Sequence, residues 1–323
     1  MPDTTNITSP QDLQRILDSL PPDIRPEVEK ILHQTTQQHN FFQDNFTSII
    51  FFLALTLYTF VSVRRGVKQK DADVTRADNP IESASNRLMF YGSKLKLTDE
   101  EINNILSKYH SYFSNLQPTL QIKFTERLKQ FIHPKIFIVC DKEQCNEMAV
   151  LISAAAIQIT FGLDNFLLPW FEIIQVYAEG YVTHNCPNPL AGHVQGNIIT
   201  VAWNSFIKGY ANQSDGDNVG IHEMAHALFY QEIIVDVNKE KDFKEYYDKV
   251  MEESKKIYSL RETQPELYNE YAFTNLQEFW AESLEIFFEE PESMQAAYYD
   301  LFVRLKQLLL QDPINKSNPL LIN

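Results

Sequence analysis

Residues 221–229 read Ile-His-Glu-Met-Ala-His-Ala-Leu-Phe. If this stretch is helical, His222 and His226 stand four apart on one face, with Cβ atoms about 5–6 Å apart. Two imidazoles so placed can both reach one Zn²⁺ at ~2.0–2.1 Å. Glu223 follows the first histidine directly, so its carboxylate is set to meet a water on the metal rather than the metal itself. The spacing therefore predicts a helix. Asp215-Gly216-Asp217-Asn218 ahead of it offers N-cap chemistry, and Ala225, Ala227, Leu228 and Phe229 continue it as helix formers or core residues. The competing reading is a buried helix whose histidines only bond backbone carbonyls. A third ligand decides between the two, because a catalytic zinc site takes three protein ligands and one open position.

Residues 275–290 read NLQEFWAESLEIFFEE. Thr274 with Gln277 three residues later predicts a capping box, which puts Glu278 in the first turn of a second helix. Glu278, Glu282 and Glu285 then fall on one face, and Leu276, Phe279, Ile286 and Phe287 supply apolar packing opposite. Three carboxylates facing inward repel one another unless a cation or hydrogen-bond donors meet them. Facing outward they would be a solvated acidic face.

Together these residues resemble the Mlc titration factor A family of zinc peptidases. The resemblance lies in Ile221 to His226, Gln277-Glu278-Phe279-Trp280-Ala281-Glu282 and the pair Phe287-Phe288. The run Glu278 to Glu282 is also similar to the metal-binding helix of the anthrax lethal factor protease domain. The resemblance spans roughly residues 125–300 and implies an α+β, zincin-like (gluzincin) peptidase domain. It implies one Zn²⁺ held by His222, His226 and Glu278, with Glu223 as general base. A tyrosine seven residues before the third ligand, here Tyr271, would assist catalysis. Glu282, one turn after Glu278, is expected to accept the spare N–H of a ligand histidine. The family's name implies a second reading, a scaffold that sequesters a transcriptional repressor or other regulatory protein. The stretch after the first metal helix departs from the family pattern, and so does an apolar N-terminal segment.

That segment, residues 46–63, reads FTSIIFFLALTLYTFVSV, 18 residues without a charge. At ~1.5 Å per residue it is just long enough for a hydrocarbon core of roughly 30 Å. Arg64, Arg65, Lys68, Lys70 and Arg76 crowd its C-terminal side, and the basic side stays cytoplasmic. The expected organisation is an extracytoplasmic helical tail (1–45), a single transmembrane helix (46–63), a polar linker (64–85) and the peptidase domain (86–323) facing the cytoplasm. The expected location is the inner cell membrane, with the lipid bilayer and a peptide or protein substrate as partners.

Composition narrows the remaining classes. The chain has 28 Lys+Arg against 43 Asp+Glu in 323 residues, a net charge of −15, which speaks against nucleic-acid binding, since phosphate needs a basic face. Three cysteines are too few for a disulfide framework. A helix is predicted from Thr98, whose side chain with Glu101 makes a capping box, and another over about 118–131. Residues 147–161 are apolar on nearly every face, a buried helix with Gly162 as its stop. Lys135–Cys140, Glu172–Tyr177 and Asn197–Trp203 read as strands, the last as an edge strand on which an extended peptide could add. The stretch 178–196 reads as a loop. Its His184, Cys186 and His193 lack ordered ligand spacing, and His110 and His133 read as surface or cap residues.

Overall fold

The computed structural model describes residues 88–321 apart from 142, 184–185, 236–238 and 261–266. All of them lie in the unit Arg76–Asn323. The apolar segment 46–63 falls outside the described residues, and no helix among those described is long and apolar enough to cross a membrane.

A five-stranded sheet runs in the order β1 (Leu88–Tyr91), β2 (Ile136–Val139), β3 (Ile173–Tyr177), β7 (Ile198–Ala202) and β6 (Gly192–Gln195). The central pairs β2–β3 and β3–β7 are parallel, whereas β1 and β6 are antiparallel to their neighbours. Ile174, Val176, Ile199 and Val201 turn one face of the sheet into the core, as strands with helical crossovers require.

Against that face lies α4 (Cys145–Thr160), preceded by α1 (Asp99–Tyr109), α2 (Ser111–Asn115) and α3 (Pro118–Ile132). Residues 148–160 of α4 are all buried, because α3, α1 and the helix Val219–Phe229 surround it. Its stop differs from the expected glycine cap. Arg127 of α3 donates to the carbonyls of Thr160, Phe161 and Leu163 at 2.7–3.3 Å. Gly162 is needed for a different reason: a Cβ there would sit 2.2 Å from the Leu309 carbonyl oxygen. The capping box at Thr98 forms as the sequence predicts. His110 is a cap too, but a buried one, its Nδ1 accepting from the Phe113 N–H at 3.2 Å.

Two sequence expectations need correction. The stretch 178–196 is not a loop: it carries a hairpin of β4 (Tyr181–Thr183) and β5 (Cys186–Leu190), then β6. Nor is β7 an edge strand, since β3 and β6 flank it, and the edge is β6. The chain reverses at Gly196-Asn197, where Gly196 has φ 61° and Gln195 pairs with Ile198. A glycine with positive φ at the first central position makes the tight hairpin turn that matches strand twist.

After β7 come α5 (Trp203–Ala211) and α6 (Val219–Phe229), the latter extended by a π-helical turn over Tyr230–Ile234. Then follow α7 (Phe243–Ser259), a 3₁₀ turn (Glu270–Phe273), α8 (Leu276–Glu289), α9 (Pro291–Ala297) and α10 (Tyr299–Leu309). The site is built where α6 and α8 pack together.

Candidate metal centre

Helix α6 begins at Asn218, whose side-chain oxygen accepts from the Ile221 N–H at 3.1 Å. Its buried side, Ile221, Met224, Ala225 and Leu228, enters the core. That orientation turns His222 and His226 toward α8. The start of α8 differs by one residue from the predicted cap: Asn275, not Thr274, accepts from the N–H groups of Gln277 and Glu278 at 2.8 and 3.0 Å. The two helices are locked in register by Trp280, fully buried, whose indole N–H donates to the Ala225 carbonyl at 2.9 Å.

Three side-chain atoms converge across this helix pair. His222 Nε2 lies 3.0 Å from Glu278 Oε2 and 3.1 Å from His226 Nε2, and His226 Nε2 lies 3.4 Å from the same Glu278 oxygen. A tetrahedron with ~2.0–2.1 Å metal–ligand distances has edges of about 3.3–3.4 Å, so the trio fits three corners of a zinc site. Two imidazole nitrogens and a carboxylate are also the right donor chemistry for that ion.

The same contacts set the charge states of these groups. Burial draws the His222 imidazole down, but its bonds to Glu278 and Glu285 outweigh burial and hold it well above its ordinary value. Burial raises the Glu278 carboxyl, yet the bonds from both histidines prevail and carry it well below the carboxylate range. His226 is lowered, chiefly by burial. Glu223 is only 5% exposed, and its Oε2 has no hydrogen-bond partner. Burial, reinforced by the charges of Glu278 and Glu285, pushes it up to about 8. Crowding with Glu278 and Glu285 thus adds to burial in disfavouring the ionised form of Glu223, a repulsion that a divalent cation would relieve.

Tyr271 sits on the 3₁₀ turn before α8, half exposed, its ring 6.0 Å from that of His222. Its side chain bonds Glu278, and burial together with that charge raises its hydroxyl well above the usual value.

Glu282 departs from expectation. Its Oε2 accepts from Asn269 Nδ2 at 2.9 Å, and the carboxylate that meets His222 Nδ1, at 2.7 Å, is that of Glu285. Glu282 stays near enough to share a cluster with His222 and Glu285, but the turn carrying Asn269 claims its oxygen. Burial, then the Glu285 charge, raises Glu282 to about 7. Glu285 was visible in sequence only as the third member of the acidic row, with nothing to assign it a partner.

One further residue escaped sequence reading. Gly192 of the edge strand lies so close to Glu223 that a Cβ there would be 2.6 Å from both Glu223 Cγ and Oε1. The glycine lets β6 pass directly over this carboxylate. His193, next on the strand, bonds the Tyr181 hydroxyl through Nδ1 at 2.6 Å. His184 falls outside the described residues.

Comparison with known proteins places this geometry. An uncharacterized protein of Synechocystis sp. (strain ATCC 27184 / PCC 6803 / Kazusa) is 24% identical over 229 residues, covering 65% of this chain and 83% of that protein. The model of the glucose-regulated metallo-peptidase M90 family matches residues 91–309, a span that holds α6, α8 and strands β2 to β7. On that match the chain belongs to the glucose-regulated metallo-peptidase M90 family, the family its two helical motifs resemble.

Proposed function

We propose that the chain is a zinc-dependent peptidase with a zincin-like (gluzincin) domain. We further propose that residues 46–63 anchor it in the cell membrane with that domain on the cytoplasmic side. The observation that carries the catalytic reading is the convergence of His222, His226 and Glu278 at 3.0–3.4 Å, with the unpartnered Glu223 oxygen buried beside them.

Zinc held by these three residues would supply Lewis-acid polarisation of the scissile carbonyl and of the attacking water. Glu223 takes a proton from that water and passes it to the leaving amine. Its position favours this role, because its buried Oε2 has no other hydrogen-bond partner and is left to take the proton. Tyr271, its hydroxyl kept protonated, donates a hydrogen bond to the developing oxyanion. An extended peptide adds to the free edge of β6, where main-chain hydrogen bonds align it over Glu223.

The test is Glu223→Gln in the full-length chain purified in detergent. Zinc content, measured by mass spectrometry, should match that of the wild type, and cleavage of model peptides should be abolished. Cleavage that persists in the variant overturns the mechanism. A wild-type chain that holds zinc, never cleaves, yet captures a regulatory protein points instead to the scaffold reading.

A further inference from the structure

We propose that Glu285 is a positioning residue, holding the Nδ1–H of His222 so that Nε2 of the same ring faces Glu278 and His226. The inference rests on reading His222 as a metal ligand. Glu285 is buried, with one oxygen 2.7 Å from His222 Nδ1. Its other oxygen accepts from the backbone N–H of Asn218. Asn218 is held in turn: its Nδ2 donates to Glu289 Oε1 at 2.8 Å, and Glu289 Oε2 accepts from the Gly216 N–H at 3.1 Å. The segment that starts the metal helix and the ring that its first turn presents are thus gripped by the same carboxylate.

The chemistry selects a carboxylate at this position. Both oxygens of Glu285 face donors, the His222 ring N–H and the Asn218 main-chain N–H. A glutamine offers one acceptor and turns its NH₂ against the second donor, so one buried donor is left without a partner. Glu282, the nearest rival, is occupied by Asn269. An acceptor on the far nitrogen of a ligand histidine fixes which nitrogen is free for the metal, and its loss typically costs about 10–100-fold in metal affinity.

The experiment uses full-length protein with ¹⁵N-labelled histidine, comparing wild type, Glu285→Gln, Glu285→Ala, Glu285→Asp and Glu282→Gln. Zinc affinity is read by chelator competition, and the His222 Nδ1–H resonance is followed with and without zinc. We expect a slowly exchanging Nδ1–H signal in wild type and Glu282→Gln, its loss in Glu285→Ala, and a faster-exchanging signal in Glu285→Gln, where one acceptor serves two donors. Zinc affinity should fall about 10–100-fold in those two Glu285 variants, with partial recovery in Glu285→Asp. A packing role alone would not move the ring N–H signal. Should the slowly exchanging signal and the affinity survive both Glu285→Gln and Glu285→Ala, the positioning role is overturned. A wild type that shows the Glu285-dependent signal but binds no zinc sinks the metal reading and leaves the positioning of His222 standing.

Discussion

At the scale of single residues, Gly192 and the Glu223 side chain lie in close contact. The edge strand can approach the carboxylate only because position 192 has no side chain: a Cβ would be 2.6 Å from Glu223 Cγ and 2.8 Å from Cδ. The clashing atoms lie on a side chain that is itself buried, so Gly192→Ala has to displace the proposed base or the strand passing over it. A displacement of about 1 Å at a reacting group can cost up to about 100-fold in rate. We expect kcat for peptide hydrolysis to fall about 10–100-fold in Gly192→Ala, with zinc content close to wild type. An unchanged kcat would show that the Glu223 carboxylate does not need its present position.

Among the elements, α2 is anchored by an unusual cap. His110 accepts from Phe113 N–H through Nδ1, which demands a neutral ring, and it is packed against Tyr210 of α5 and Phe124 of α3. Burial lowers its pKa to about 3, whereas an unfolded histidine titrates near ~6.5. Between those values the unfolded chain carries the proton and the folded chain does not, so stability rises with pH across this window. The contribution is complete above ~6.5 and lost as the pH falls toward 3. His110→Asn keeps a capping side chain without the titration. The difference in unfolding free energy between about pH 6.5 and 4.5 should be smaller in the variant than in wild type by roughly 2–3 kcal/mol. Chemical denaturation at the two pH values measures it, and equal slopes would show that His110 is not the titrating group.

For the whole molecule, the charge distribution matters as much as the core. Residues 1–45 carry a net charge of −4 and the remainder −11, with the basic cluster Arg64 to Arg76 directly after the apolar segment. A membrane-spanning helix with that flank holds its C-terminal side in the cytoplasm. The full-length chain should therefore sediment with membranes and resist alkaline carbonate extraction, and deletion of residues 46–63 should release it to the soluble fraction. Recovery of the intact chain in the soluble fraction would remove the anchor from the proposal.

Several features were legible in the sequence because they are local. A histidine pair four apart, an asparagine ahead of a helix, Thr98 facing Glu101 and a helix apolar on every side each follow from the 3.6-residue period. The sequence alone therefore determined the helix that carries His222 and His226 on one face, and the buried α4. The Gly196-Asn197 turn was also readable in principle, as a glycine-led dipeptide between two short β runs. Only the tertiary structure decided which acidic residue of α8 meets His222, since Glu285 lies 63 residues away in the chain. It alone showed β6 to be the edge strand, and that Gly162 is required by the Leu309 carbonyl rather than by a cap. Periodicity sets which residues share a face; which donor or backbone that face meets depends on how distant elements pack, and no short-range pattern encodes it.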